Sequence, residues 1–293
     1  MSTLWQNISY KMLKSGSKLY LLIGINVIVF LAINIPGVIE WLFTGSENTI
    51  SGLSYEYLQL PAYLPKLLFR FWTPLSYMFI NDGIINILFN MLWLYWLGQI
   101  FEEYTGTKRT LGIYIMGGLA GAALYVLSYN IFPVFTHSGA LLLTAITGSS
   151  VSVMAIIVAT ATLLPDYPIP LPFIGAVKLK WLVIIYIAID FLLIAGANSG
   201  QEIAHIGGAI LGFVYIKRLQ KGSDWIENIK NAFKRGPKLS KLRVAARNTA
   251  KRNASRPRQE DVDIILDKIS TTGYESLSKE EKEILFRASK NES

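Results

Sequence analysis

The sequence of 293 residues has no cysteine, only two histidines and only 16% charged residues. Without cysteine there is no disulfide framework and no thiolate-held metal, haem or iron–sulfur centre. His137 and His205 alone do not make a histidine-rich metal site, so neither a metal nor an organic cofactor is expected. Soluble domains carry about 25% charged residues, and a fraction this low argues against a water-soluble globular enzyme. What the chain has instead is apolar surface: 52% of its residues are hydrophobic and its mean hydropathy is +0.38.

The net charge is nevertheless +8. Half of the 28 Lys and Arg lie between residues 217 and 258, where Asp224 and Glu227 are the only acids. That stretch carries no nucleic-acid recognition motif and follows a membrane-like region. No nucleic-acid partner is expected, and attraction to anionic membrane lipid is the preferred reading.

A membrane-crossing helix needs about 20 apolar residues. Six runs approach this: Leu19–Ile35, Ile84–Phe101, Leu111–Phe132, Leu142–Leu164, Val177–Ala195 and Ile203–Leu219. Gly, Ser, Thr and Asn interrupt several of them, as in helices that pack on one another rather than facing lipid all round. The basic clusters Lys11/Lys14/Lys18, Lys108/Arg109, Lys178/Lys180 and Lys217/Arg218/Lys221 fall on one side if both termini are cytoplasmic, leaving Lys66 and Arg70 opposite. The expected division is an N-terminal segment (1–18), a membrane domain (19–220), a basic linker (221–260) and a small helical tail (261–293). Gly236-Pro237 and Arg256-Pro257 punctuate the linker, and the tail reads as two helices, Val262–Ile269 and Lys279–Ser289. The aromatic-rich segment from Pro36 to Asn81 is expected to lie in the membrane interface.

Polar residues at membrane depth are functional candidates. Here they are Asn86, Asn90, Ser149, Ser150, Asp190 and His205. At a rise of about 1.5 Å per residue, Asn90 and His205 each stand about 18 Å above the charge that marks the inner end of their helix, and Asn86 and Ser150 about 24 Å. In a hydrocarbon core about 30 Å thick, all four occupy the outer half. Serine with histidine is the minimum for nucleophilic acyl transfer, and asparagine amides can hold a developing oxyanion. Asp190 reads either as a group orienting His205 or, preferably, as a hydrogen-bonding residue facing the bundle. Ser149 reads as a packing residue unless the register shifts, and His137 as a solvated loop residue.

The chain resembles the bacterial rhomboids, a family of intramembrane serine proteases, over residues 15–220. The matching stretches are Ile87–Trp93, Glu102–Gly106, Gly117–Gly121, Thr147–Met154 and Gly200–Gly212, the last fitting the pattern G-x-x-x-A-H-x-x-G-x-x-x-G. The resemblance implies an all-α membrane protein: a six-transmembrane-helix rhomboid-like bundle with a short helical cytoplasmic tail, in a bacterial-type cell membrane. It implies Ser150 as nucleophile, His205 as base in a Ser–His dyad, and Asn90 with the Ser150 N–H as oxyanion donors. Gly148 precedes the nucleophile turn, Gly208 and Gly212 let the sixth helix approach the fourth, and Met154 stands where the family packs a bulky residue beneath the histidine. Transmembrane protein substrates, cut near the outer membrane face, are the implied partners. Three positions depart from the family pattern. Asn81 and Asn86 replace histidines, with Asn86 a candidate substitute oxyanion donor, and Val151 replaces the glycine after the nucleophile. Its branched side chain is expected to narrow the substrate space or shift Ser150. These departures keep a second reading open, a rhomboid-like protein that binds membrane clients without cutting them. No inverted repeat points to a transporter.

Overall fold

The apolar runs become helices wherever no glycine or proline redirects the backbone. A computed structural model describes residues 16–45, 49–136, 139–171, 175–196, 198–227 and 259–289. His137, Lys11, Lys14 and most of the basic linker lie outside them. The long helices are α1 (Lys18–Thr44), α2 (Ile84–Thr105), α3 (Thr107–Ile131), α4 (Ser150–Leu163), α5 (Leu179–Leu193) and α6 (Ser199–Gln220). Among the described residues, α1, α2 and α3 are each long and apolar enough to cross a membrane, and α4 is apolar but shorter. Large apolar side chains stay exposed along α1 (Ile28, Leu31, Leu42) and α5 (Ile184, Phe191, Leu192). So much apolar surface on two helices is unsuited to water and suited to lipid.

Two expected boundaries need correcting. The first helix does not end at Ile35 but runs through Pro36 to Thr44. A proline removes one backbone hydrogen bond and crowds the preceding turn, a loss that membrane helices tolerate where neighbours re-satisfy the freed groups. The expected run Leu142–Leu164 is broken, because Ala145–Ile146 (β2) pairs antiparallel with Leu60–Pro61 (β1) and Gly148 takes φ +120°. That φ suits glycine alone. The Gly148 N–H donates to Tyr77 O at 3.1 Å, and the helix starts only at Ser150.

Glycine sets the packing of α3, α4 and α6. A Cβ on Gly208 would sit 2.5 Å from Val151 O, and Gly212 meets the Ala155 carbonyl four residues further along both helices, so α4 and α6 run parallel. A Cβ on Gly207 would lie 2.7 Å from Gly121 Cα, and one on Gly121 2.6 Å from Ala204 O. Backbones this close gain dispersion and leave no room for side chains.

Polar contacts gather the basic residues at one end of the bundle. Leu19 N–H donates to Glu102 Oε2 at 3.1 Å, Arg109 pairs with Asp224 at 2.8 Å, and Asp166 meets Lys178 and Lys180 at 3.0 and 2.9 Å. The neighbouring Lys180 and Lys178 hold the Asp166 carboxyl below its ordinary range. Burial alone would raise that of Asp224, but the Arg109 guanidinium and the Glu227 N–H bring it below the usual value. Ser150 and the start of α6 lie at the opposite end. The segment after α1 is folded rather than a plain loop: the Arg70 guanidinium lies 4.5 Å from the Tyr57 ring centre, and Trp72 Nε1 donates to Tyr57 O.

The chain divides into two compact units, Met1–Ile229 and Lys230–Ser293. In the second, α7 (Gln259–Thr272) and α8 (Lys279–Ser289) flank Gly273 at φ +81°. Ser278 and Glu281 form a reciprocal cap at the start of α8, and Lys268 Nζ reaches Glu281 at 2.9 Å.

Gly208→Ala is expected to push α4 and α6 apart and cost about 1–3 kcal/mol, read as a lower thermal midpoint in detergent. Gly52→Ala, where an added Cβ meets nothing within 4 Å, is expected not to lower it.

Candidate active site

Because α4 begins at Ser150, that residue's N–H has no acceptor within its own helix and carries the positive end of the helix dipole. The Ser150 side chain faces a cavity of about 500 Å³ between the starts of α2, α4 and α6 and the face of α5. Asn81, Asn86, Asn90, Gly148, Tyr186 and His205 share its lining. The residues whose heights matched in the sequence therefore do surround one space.

Ser149 and Ser150 separate cleanly. The Ser149 hydroxyl is fully buried and donates to Asn81 Oδ1 at 2.7 Å. Ser150 Oγ instead accepts from Gln201 Nε2 at 2.7 Å. The same Gln201 nitrogen lies 3.4 Å from His205 Nε2, one turn along α6. On its other side His205 Nδ1 meets Asp190 Oδ2 at 3.0 Å, with both residues buried at 7% and 5% exposure. The Tyr186 ring meets the imidazole edge-on, with centres 6.3 Å apart. Gly148 is required twice, since beyond its φ a Cβ there would lie 3.2 Å from Ser150 Oγ.

Asn81 is the hub of a buried chain of amides. Its Oδ1 accepts from Asn90 Nδ2 at 3.0 Å as well as from Ser149, and its Nδ2 donates to Asn26 Oδ1 at 3.1 Å. Asn26 Nδ2 donates onward to Tyr114 Oη at 3.0 Å, and that hydroxyl donates to Met78 O at 2.6 Å. Asn90 has a second amide hydrogen left for the cavity. Asn86 is different: it lines the cavity but is exposed, and its amide donates to Asp82 O at 2.5 Å. Val151 does not narrow the substrate space. It is fully buried, pointing into the seam where Gly121 and Gly208 make room for it.

A family model described as the Rhomboid domain matches residues 68–221, more than half of the chain. The chain belongs to the rhomboid family. With its apolar helices, this makes it an integral membrane protein. Among curated relatives, the rhomboid protease GlpG of Yersinia pseudotuberculosis serotype I (strain IP32953) is 26% identical over 174 residues, 59% of this chain and 55% of that protein. The protein of the same name from Yersinia enterocolitica serotype O:8 is 25% identical over 192 residues, 64% and 57% of the two. The chain thus spans a little over half the length of these relatives. A second model, a family of unknown function (DUF6576), matches residues 249–291 and so includes the two tail helices.

Two contributors to this rhomboid site escape sequence reasoning. Gln201 falls on a variable position inside the G-x-x-x-A-H pattern, and only its position one turn before His205 hints at a shared face. Asn26 lies on α1, outside the residues the family model matches, and reads there as one more small polar interruption of an apolar run. Asn81→Ala is expected to leave Asn90, Ser149 and Asn26 short of partners. At about 1–3 kcal/mol for each buried group left unsatisfied, its thermal midpoint should fall well below that of Asn86→Ala, whose lost bond is exposed.

Proposed function

We propose that the chain is an intramembrane serine endopeptidase that cuts transmembrane client helices near the outer membrane face, with Ser150 as nucleophile and His205 as base. The observation that carries this reading is one shared amide: Gln201 Nε2 lies within hydrogen-bond distance of both Ser150 Oγ and His205 Nε2, at the wall of an open polar cavity. The two reacting groups therefore lie within reach of one amide on the same cavity wall.

In the reaction His205 Nε2 takes the Ser150 proton as Oγ attacks the scissile carbonyl. The imidazolium returns that proton to the leaving amine as the C–N bond breaks, and water then hydrolyses the acyl-enzyme. The Ser150 N–H and the free hydrogen of the Asn90 amide stabilise the oxyanion. No metal or organic cofactor enters these steps. Water reaches the reacting atoms through the cavity, which is also what permits non-helical backbone at Gly148 to lie at membrane depth. The positive-inside rule puts the end bearing Arg109, Lys178 and Lys217 in the cytoplasm, with both termini, and Ser150 in the outer half of the membrane. The basic charge between residues 217 and 258 supports attraction to the anionic inner leaflet of a bacterial-type cell membrane.

The full chain in detergent, treated with a fluorescent fluorophosphonate, is expected to label at Ser150, and Ser150→Ala is expected to abolish both labelling and cleavage of a helical membrane client. Folded wild-type protein that neither labels nor cuts would instead make the chain a non-cutting binder of membrane clients. The outward turn of Asn86, whose amide donates to Asp82 O, favours that second reading.

A further inference from the structure

The family resemblance implies a Ser–His dyad, yet His205 here is held at both nitrogens. We propose that Asp190 is a positioning residue that completes a Ser150–His205–Asp190 triad, keeping the His205 proton on Nδ1 so that Nε2 is free to act as base; this rests on the protease reading above.

The chemistry of the two contacts supports the assignment. An ionised carboxylate can only accept, so the 3.0 Å contact of Asp190 Oδ2 with Nδ1 requires the proton on that nitrogen. Nε2 then carries a lone pair, which needs a donor. The group found there is an amide nitrogen, Gln201 Nε2 at 3.4 Å, while its other hydrogen serves Ser150 Oγ. The opposite tautomer would set donor against donor at Nε2 and leave a lone pair facing a carboxylate at Nδ1. With Asp190 ionised and the Gln201 amide oriented this way, one tautomer satisfies both ends of the imidazole, and it is the one a base at Nε2 needs.

Three titratable groups face His205 from the elements packed around it: Asp190 and Tyr186 from α5, and Glu202 from its own helix. Glu202 does not substitute for Asp190. Its Oε2 is buried with no hydrogen-bond partner among the described residues, so its effect on the ring is electrostatic rather than directional. Asp190 alone both orients the ring and lies against the charge that forms when His205 takes the Ser150 proton. This compensates for what the site lacks elsewhere, with Asn86 turned to Asp82 O and Asn90 tied at one hydrogen to Asn81.

The test compares fluorophosphonate labelling rates of wild type and Asp190→Asn across pH. The asparagine keeps the shape but can donate to Nδ1 and select the wrong tautomer, so the plateau rate should fall at least about 10²-fold. Losing the negative charge destabilises the imidazolium, so the pH midpoint of the remaining rate should move downward. A merely structural role would leave that midpoint in place. Labelling at the wild-type rate and midpoint overturns the triad while leaving the Ser–His reading intact. Wild type that never labels overturns the protease reading and the inference with it. If Asp190→Asn does not fold, nitrogen NMR decides the matter without touching the pair. With two histidines in the sequence, His137→Gln leaves His205 as the sole signal in protein labelled with ¹⁵N-histidine. A proton held on Nδ1 near neutral pH is expected; a proton on Nε2, or a fast mixture of the two, overturns the proposal.

Discussion

The site depends on a helix that starts late. Apolar sequence continues from Leu142 into α4, and a straight reading would carry one helix through it. Gly148 at φ +120° prevents this, and the backbone groups freed by the break need partners other than lipid. Some find protein: Gly148 N–H reaches Tyr77 O, and β2 closes on β1. Ser150, the first residue of α4, lines the cavity. Non-helical backbone at membrane depth is tolerated where protein buries it or a water-filled cavity meets it, and this break has both, β1 and Tyr77 on one side and the cavity on the other.

The rest of the bundle serves to hold that helix start still. Glycines on α3 and α6 clamp α4 from two sides, and Val151, the bulky residue beside Ser150, fits because Gly121 and Gly208 give way to it. The amide chain Asn26–Asn81–Asn90, with Ser149 attached, ties α1, the approach to α2, and α4 through directional bonds. Apolar contacts alone are weakly directional in a bilayer, where lipid tails compete on equal terms with side chains. Close glycine packing sets distance, and the buried amides set register.

Much of this was legible in the sequence. The spacing around His205 and the serine motif placed both residues, and counting from the inner charges put Asn90, Ser150 and His205 at compatible heights. What stayed hidden depended on side-chain direction or on contacts between distant parts of the chain. A hydropathy run cannot show that one glycine has left-handed φ, so the fourth span was drawn too long. Nor does a proline say whether neighbours will re-satisfy its missing bond, so α1 was drawn too short. The replacement of histidine by asparagine at 81 reads as a lost helper. In the fold its amide makes three hydrogen bonds, one of them to Asn26, which arrives from a helix 55 residues earlier in the chain.

Asp190 is where energetics and function part company. A carboxylate in the last turn of an apolar helix such as α5 is costly to take out of water. One hydrogen bond that involves a charged group returns about 1.5–3 kcal/mol, and Asp190 makes its bond to His205 Nδ1. Burial at 5% exposure leaves little water to make up the difference. Stability alone therefore does not favour an aspartate at this position, and an apolar residue of similar size would serve the fold as well or better. In the proposed triad the balance changes at the imidazolium stage, because Asp190 Oδ2 already lies 3.0 Å from Nδ1. On that proposal the resting cost of Asp190 and its value in the charged state are the same interaction at two moments, which is how a preorganised site lowers a barrier.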